Sequence, residues 1–282
     1  MAGKFARSLS LVKASAAVLQ SDKELLVFPL VSMIAVMLVI ATFMVPMFGF
    51  GLYRHIGPGD PMRPALYVYL YLFYFVQYIV IFFCNTALVG AAMIRLDGGN
   101  PSVADGFRIA QSKLLPILGY AAIAATVGMI LRTLEQRAGF IGRIVIGMIG
   151  AAWSVATFMV VPVLVNSDVG PVEAIKESAS MLKNTWGENL IGNGGIGVVF
   201  GLATLAVMLI GGGLPLATAT NGVVPLAIVF GSITVLAVLA IALVQSALAG
   251  IYSAALYRYA TEGSAPAGFD VGVLQEAFRV KA

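Results

Sequence analysis

Apolar residues run through most of the chain in long, nearly continuous stretches that are separated by short polar segments. A helix needs about 20 apolar residues to cross the hydrocarbon core of a membrane, and six stretches reach that length. They are Leu25–Phe48, Ala65–Arg95, Leu114–Leu134, Phe140–Val165, Leu190–Leu214 and Val223–Tyr259. Because these runs do not alternate apolar with polar residues, they predict transmembrane helices and not the strands of a barrel.

A short amphipathic segment precedes the first, third and fifth stretches, and a fourth segment follows the last one. Their apolar residues recur at steps of three and four, which places them along one helical face. The faces are Phe5, Leu9, Val12, Ala16 and Leu19; Val103, Phe107, Ala110 and Leu114; Val172, Ile175, Ala179 and Leu182; and Val271, Leu274 and Phe278. Ser21 with Glu24, and Ser102 with Asp105, have the spacing of helix capping boxes.

The exits of two even-numbered stretches also match, since Ala92-Met-Ile-Arg95-Leu resembles Ala255-Leu-Tyr-Arg258-Tyr. We therefore predict an all-α membrane protein with six transmembrane helices. They form three degenerate units, each an interfacial amphipathic helix plus a transmembrane hairpin. The whole chain, 1–282, is predicted to be a single integral membrane domain. Within it, 1–23 is a cytoplasmic interfacial helix, 24–262 is the six-span bundle and 263–282 is a cytoplasmic C-terminal amphipathic segment.

The composition supports this architecture, because 60% of the 282 residues are hydrophobic and only 11% are charged. Soluble domains average about 45–50% apolar and about 25% charged residues. These values exclude a soluble enzyme, a disordered protein and a secreted disulfide scaffold. The single cysteine, Cys84, allows no disulfide within the chain, and we expect it to be a small buried apolar residue.

The positive charges set the orientation of the chain. With a cytoplasmic N-terminus, twelve of the 17 Lys and Arg residues fall on the inner side and five on the outer side. The outer five are Arg54, Arg63, Arg132, Arg137 and Arg143. Cytoplasmic loops carry the excess of positive charge, so we predict that both termini are cytoplasmic. The polar lead before the first stretch is too long for a signal peptide, and we expect that stretch to be retained as a span.

Residue types that carry catalysis or bind metals are sparse. The single histidine, His55, lies near Asp60 in a predicted outer loop, and the two fall short of the three or four ligands of a zinc site. Gly211–Gly213 lacks the Lys and the Ser or Thr of a phosphate-binding loop. No Asp or Glu lies at mid-span depth, which disfavours proton-coupled transport. We therefore expect a non-enzymatic protein without catalytic residues, metal or cofactor.

The second stretch carries the strongest local pattern, with nine aromatic residues between Tyr67 and Phe83. Steps of three and four place six residues on one helical face. These six are Tyr67, Tyr71, Tyr74, Tyr78, Phe82 and Asn85. An aromatic belt at the membrane surface, together with helix packing, explains the outer members. Tyr78 lies deeper, where a phenol hydroxyl needs a partner. The second interpretation is that the six residues line a cavity for a lipid, an isoprenoid or a similar amphiphile.

Small residues at four-residue spacing indicate helix–helix contacts in the last two stretches. Gly197 and Gly201 form a GxxxG motif, and Ser246 and Gly250 repeat the spacing in the last stretch. Such residues let two helix backbones approach closely. The contacts are expected either within the monomer or between the subunits of a homo-oligomer, and the sequence does not separate the two.

Two segments carry a resemblance to known proteins. The first is Val161–Val165 (VPVLV) with Gly170–Ser178 (GPVEAIKES) and Trp186, and the second runs from Ser10 (SLVKAS) to Pro29 (DKELLVFP). The chain resembles uncharacterised six-span bacterial integral membrane proteins. A similar pattern occurs in the membrane domains attached to some glycerophosphodiester phosphodiesterases. The resemblance implies a fold and a setting in the bacterial inner (cytoplasmic) membrane. No phosphodiesterase domain lies within these residues, so that activity is not carried over.

The sequence thus predicts an integral inner-membrane protein that is not an enzyme and that binds or moves a lipid-like amphiphile or modulates the bilayer. The alternatives are a structural or assembly subunit of a membrane complex, or a channel for small solutes. The channel is weakened by the lack of a charged ring or a recognisable filter. The expected partners are membrane lipids, with a homo-oligomer or a membrane-protein partner left open, and no nucleic acid.

Overall fold

The computed structural model describes most of the chain, and within that part every regular element is a helix. The described residues are 13–49, 51, 64–186, 195–220 and 223–263. In chain order the helices are α1 (13–21), α2 (Val27–Gly49), α3 (Pro64–Leu96), α4 (Val103–Ser112), α5 (Leu114–Arg137), α6 (Phe140–Ala156), α7 (Val160–Asn166), α8 (Pro171–Trp186), α9 (Gly195–Thr220) and α10 (Val224–Glu262). A 3-10 turn, Lys23–Leu26, precedes α2. The amphipathic segment predicted at 271–278, and much of the one predicted at 5–19, lie outside the described residues.

Five parts of the described chain are long and apolar enough to cross a membrane. They are Lys23–Gly49, Pro64–Leu96, Leu114–Arg137, Phe140–Asn166 and Val224–Glu262. These coincide with five of the six predicted stretches. The remaining stretch, Leu190–Leu214, overlaps α9 from Gly195 onward, and the described apolar portion Phe200–Gly213 is shorter than a full span. A sixth span therefore stays a prediction.

The most buried part of the fold lies where α3 and α10 approach their C-terminal ends. We call this region, residues 86–93 of α3 together with 247–257 of α10, the base. Many of its residues are alanines that are at most 1% exposed: Ala87, Ala91, Ala92, Ala247, Ala254 and Ala255. Small side chains let the helices approach closely. At Gly250 the approach is so close that a Cβ atom would collide with the Leu88 side chain.

Short helices pack around the base, and α4 shows how closely they fit. The Phe107 ring lies 5.3 Å from that of Phe28 in α2 and 6.0 Å from that of Phe83 in α3, between ring centroids. Gly106 brings the α4 backbone directly against α3, where a Cβ would lie 2.7 Å from the carbonyl oxygen of Ala87. The amphipathic segment predicted here is therefore a helix that packs against its neighbours through a glycine and an aromatic ring.

One of the two predicted capping boxes is confirmed. The Ser102 hydroxyl accepts a hydrogen bond from the N–H of Asp105 at 3.2 Å, and the Asp105 carboxylate accepts one from the N–H of Ser102 at 3.0 Å. The box predicted for Ser21 and Glu24 is wrong. Asp22 caps that turn instead, since its carboxylate accepts from the N–H of Glu24 at 3.2 Å, while the Ser21 hydroxyl bonds back into α1.

In two of the predicted amphipathic faces, one residue is exposed in the structure. Leu114 is 42% exposed. It is the first residue of α5, and α4 ends two residues earlier, so Leu114 does not continue the apolar face of α4. Val172 is 47% exposed, and the buried face of α8 carries Ala174, Ser178 and Leu182. Of these three residues the apolar pattern identified only Leu182, because alanine and serine contribute little to such a pattern.

The predicted span Phe140–Val165 is interrupted, because α6 ends at Ala156 and α7 begins four residues later. The fully buried Ser178 of α8 bridges the interruption. Its hydroxyl donates to the carbonyl of Ala156 at 2.7 Å and accepts from the N–H of Met159 at 3.1 Å. Pro162 fits the start of α7, where the first N–H groups of a helix have no partner within it. The interruption is thus stabilised from a different helix.

Ion pairs join charged residues at the helix ends next to the base. Arg258 of α10 pairs with Asp97, just after α3, and with Glu262 one turn later at 3.2 Å. Lys113, between α4 and α5, pairs with Asp168, between α7 and α8, at 2.7 Å. The hydrogen bond and the charge of Lys113 lower the pKa of the Asp168 carboxyl below its ordinary value of 3.8. The Arg258–Asp97 and Lys113–Asp168 pairs tie helix ends that are far apart in the sequence.

Candidate functional site

Helix α3 carries aromatic residues on two opposite faces, and one of them packs against α2. The Phe43 ring of α2 lies 5.4 Å from the ring of Tyr69 and 5.4 Å from that of Phe73. The Tyr69 hydroxyl donates a hydrogen bond to the backbone carbonyl of Phe43. This half-buried phenol therefore has its polar partner on the neighbouring helix, and this face is explained by packing.

The opposite face of α3, which carries the predicted aromatic stripe, packs against α5. Phe82 stacks on Tyr120 of α5 with ring centroids 4.3 Å apart, and on Tyr78 at 5.4 Å. The Tyr78 hydroxyl lies over Gly128 of α5, where a Cβ would be 3.4 Å from the hydroxyl oxygen. The phenol is therefore in contact with the α5 backbone at this glycine. The part of the stripe that contains Tyr78 and Phe82 is thus in contact with α5.

Nearer the start of α3 and the end of α5, the two helices separate and leave a groove of about 320 Å³. Its lining consists of Tyr71 from α3 and of Thr126, Met129, Ile130, Thr133 and Leu134 from α5. The α5 residues recur at steps of three and four, so they form one face of that helix. The threonine hydroxyls donate to carbonyls of their own helix, each at 2.8 Å. The groove therefore presents a mainly apolar surface. We call it the α3–α5 groove.

The structure places the six stripe residues in three settings. Tyr71 lines the α3–α5 groove, and Tyr78 and Phe82 lie at the helix contact that closes its inner end. The other three, Tyr67, Tyr74 and Asn85, are half-buried on α3 outside the groove lining. The five lining residues of α5 were not predicted. Their three-and-four spacing was present in the sequence, but in an almost wholly apolar helix it does not stand out.

The predicted contact residues are also found in different settings. Gly250 packs against the Leu88 side chain within the base, and Ser246 is half-buried one turn earlier on α10. Gly197 and Gly201 lie in α9. A Cβ at Gly201 would meet no atom within 4 Å in the described part of the protein.

No cluster of metal ligands is found among the described residues, taken as three or more His, Cys, Asp or Glu side chains. Cys84 is buried and carries a free thiol. His55 and Asp60 lie outside the described residues.

Long apolar helices around an alanine-rich base, with an apolar groove between two of them, define a helical protein of the membrane-spanning class. The chain belongs to a family of unknown function, DUF6159, which it matches over residues 64–269. No curated protein matches the chain, and no solved structure matches it. The resemblance to membrane domains of glycerophosphodiester phosphodiesterases stays a prediction.

Proposed function

We propose that this protein is a non-enzymatic, multi-pass protein of the bacterial inner membrane that binds or moves a lipid-like amphiphile in the α3–α5 groove. The observation that carries the proposal is the groove itself, which lies between two helices that are both long and apolar enough to span a membrane. Binding sites for small molecules are concave, mainly apolar and contain few polar groups. The groove has this character, with the Tyr71 ring on one side.

The size of the groove indicates what part of an amphiphile it holds. Its volume of about 320 Å³ is at the lower end of ligand sites, which span about 300–1,000 Å³. A site of this size accommodates part of a hydrocarbon chain and not a whole lipid. Within a bilayer, the surrounding lipid chains are as apolar as the groove, so the burial of apolar area gives a bound chain little free-energy advantage over free lipid. Selective binding must then come from shape and from polar groups near the groove.

The experiment is native mass spectrometry of the protein extracted in mild detergent or native nanodiscs, with lipid analysis of the bound fraction. Met129→Trp places a larger side chain in the groove and is expected to remove a lipid bound at fixed stoichiometry. The matched control is Met148→Trp on α6, where the methionine is 68% exposed, and it is expected to keep the lipid. Equal retention by both variants, or no selective lipid in the wild type, would overturn the proposal.

The proposal includes the predicted membrane arrangement, with six spans, three degenerate repeat units and both termini in the cytoplasm. The support is the distribution of Lys and Arg, twelve inside against five outside, and the apolar composition of α9. Reporter fusions placed after each span test it, since a reporter that is active only in the cytoplasm should work at the C-terminus. A C-terminal reporter that is active only outside the cytoplasm would exclude an even number of spans with a cytoplasmic N-terminus.

A second candidate function, an assembly subunit of a membrane complex, is favoured by α6. This helix buries none of its residues, and Phe140, Ile141 and Met148 are 81%, 76% and 68% exposed. A face of this kind contacts either lipid or another membrane helix. A second protein retained at fixed stoichiometry in the same mass spectra, and lost on Ile141→Asn, would favour the assembly role over the lipid role.

A further inference from the structure

The lining face of α5 continues to a charged residue at the end of the helix. Thr126, Ile130, Thr133 and Arg137 follow one another at steps of four, three and four. At about 100° per residue, these steps bring Arg137 back to the middle of the groove face. Arg137 is the last residue of α5, and it is exposed. A guanidinium group therefore stands in line with an apolar groove.

The other charged residues of this helix end point elsewhere. Arg132 and Glu135 are both exposed, at about 140° and about 160° around the helix from Arg137. Neither lines the groove. A ligand in the groove would therefore meet one positive charge along this face of α5, and no carboxylate of α5 beside it.

The length of this face matches one half of a bilayer. Eleven residues separate Thr126 from Arg137, which corresponds to roughly 16 Å along the helix axis. The hydrocarbon core is about 30 Å thick, so one leaflet contributes about 15 Å. With Arg137 at the level of the head groups, Thr126 lies near the middle of the membrane. The groove then follows the path of one acyl chain in a single leaflet.

We propose that the occupant of the α3–α5 groove is an acyl chain of an anionic phospholipid whose phosphate binds Arg137. The inference rests on the proposed function and names the class of ligand. A planar guanidinium forms paired hydrogen bonds with phosphate oxygens, and it is more weakly hydrated than an ammonium group. Arg137 stands one helical turn beyond Thr133, roughly 6 Å along the axis, which leaves room for the glycerol between chain and phosphate.

The test compares two lipids with the same dioleoyl chains, phosphatidylglycerol and phosphatidylcholine, titrated into the delipidated full-length protein and followed by native mass spectrometry. One Lys or Arg near an anionic lipid surface contributes about 1 kcal/mol, which is about fivefold in affinity. The wild type is expected to bind phosphatidylglycerol about fivefold more tightly than phosphatidylcholine. Arg137→Gln should remove that preference by weakening phosphatidylglycerol binding most, because the choline ammonium of phosphatidylcholine already offsets the charge of its phosphate. Arg137→Lys should retain part of the preference.

The matched control is Arg132→Gln, which removes the same charge from the same helix end on another face. It is expected to keep the fivefold preference. An equal loss of preference in both variants would show general attraction of lipid to positive charge and would overturn the assignment to Arg137. Binding of both lipids without preference would overturn the anionic ligand while leaving the groove as a lipid site. Failure to bind either lipid would overturn the proposed function as well.

Discussion

Replacing Ser178 with alanine tests whether the interruption between α6 and α7 is held by a single side chain. The hydroxyl joins the carbonyl of Ala156 to the N–H of Met159, and Ser178 itself is fully buried. The neighbouring backbone groups are already engaged, since Phe158 donates to Val155 at 3.1 Å. Alanine would therefore leave the buried N–H of Met159 and the partly buried carbonyl of Ala156 without this partner.

The expected loss follows from those two groups. A hydrogen bond contributes about 0.5–1.5 kcal/mol net, and a stranded buried polar group costs about 1–3 kcal/mol. Hydrogen bonds measured within a membrane protein average lower, about 0.6 kcal/mol. Two affected groups then give about 2 kcal/mol for Ser178→Ala. For a chain of this size, that corresponds to a decrease in Tm of about 4–8 °C.

The assay is thermal unfolding in detergent, followed by tryptophan fluorescence, because Trp153 lies one turn before the interruption. Ser154→Ala is the matched control. It removes a hydroxyl that bonds at 3.0 Å to a carbonyl of its own helix on an exposed face, and its Tm is expected to change by less than about 1–2 °C. If Ser178→Ala and Ser154→Ala had the same Tm, the bridging role of Ser178 would be refuted.

Three further predictions follow from the base and the helix ends next to it. The hydrogen bond and the charge of Lys113 lower the pKa of the Asp168 carboxyl, so this pair stabilises the fold above the ordinary Asp pKa of 3.8 and loses that effect as the pH falls through the lowered pKa. The Tm difference between wild type and Asp168→Asn should therefore shrink from about pH 6 to about pH 3, and a constant difference would contradict it. Gly106→Ala should lower the free energy of unfolding, measured by chemical denaturation, by about 1–3 kcal/mol. The control Gly212→Ala should not lower it, because the space around a Cβ at that position is open. Equal effects of the two substitutions would contradict the close α4–α3 contact. The Cys84 thiol, only 4% exposed, should react with maleimide after unfolding in detergent and not before, so rapid labelling of the folded protein would be inconsistent with its burial.

The helical class and five long apolar helices were predictable from the sequence. A continuous apolar run in a membrane must satisfy its backbone hydrogen bonds internally, and a helix does so. The interruption at 157–159 was not predictable, since it depends on Ser178, a polar residue of another helix. The close approach of α4 to α3 depends similarly on Gly106, a residue without a side chain. Such tertiary contacts leave little trace in a hydropathy pattern.

The candidate site was predictable on one side only. Aromatic residues stand out on α3, and the stripe identified Tyr71 and the face that meets α5. On α5, the methionine, isoleucine and leucine of the lining are as apolar as the residues that face lipid, and the two threonine hydroxyls bond to carbonyls of their own helix. Only the position of the neighbouring helix distinguishes the groove lining from the lipid-facing surface. Arg137 gains its proposed role only once that lining is known.

The base also has a consequence for the synthesis of the protein. Its two halves meet where Leu88 packs against Gly250, and roughly 160 residues separate them in the chain. A ribosome adds about 5–20 residues per second, so α3 waits on the order of ten seconds or more before α10 is made. During that interval the alanine-rich end of α3 lacks its partner, and a chain truncated before residue 247 would never cover it. Insertion factors or chaperones that shield such surfaces would therefore act on this protein from the synthesis of α3 until α10 is made.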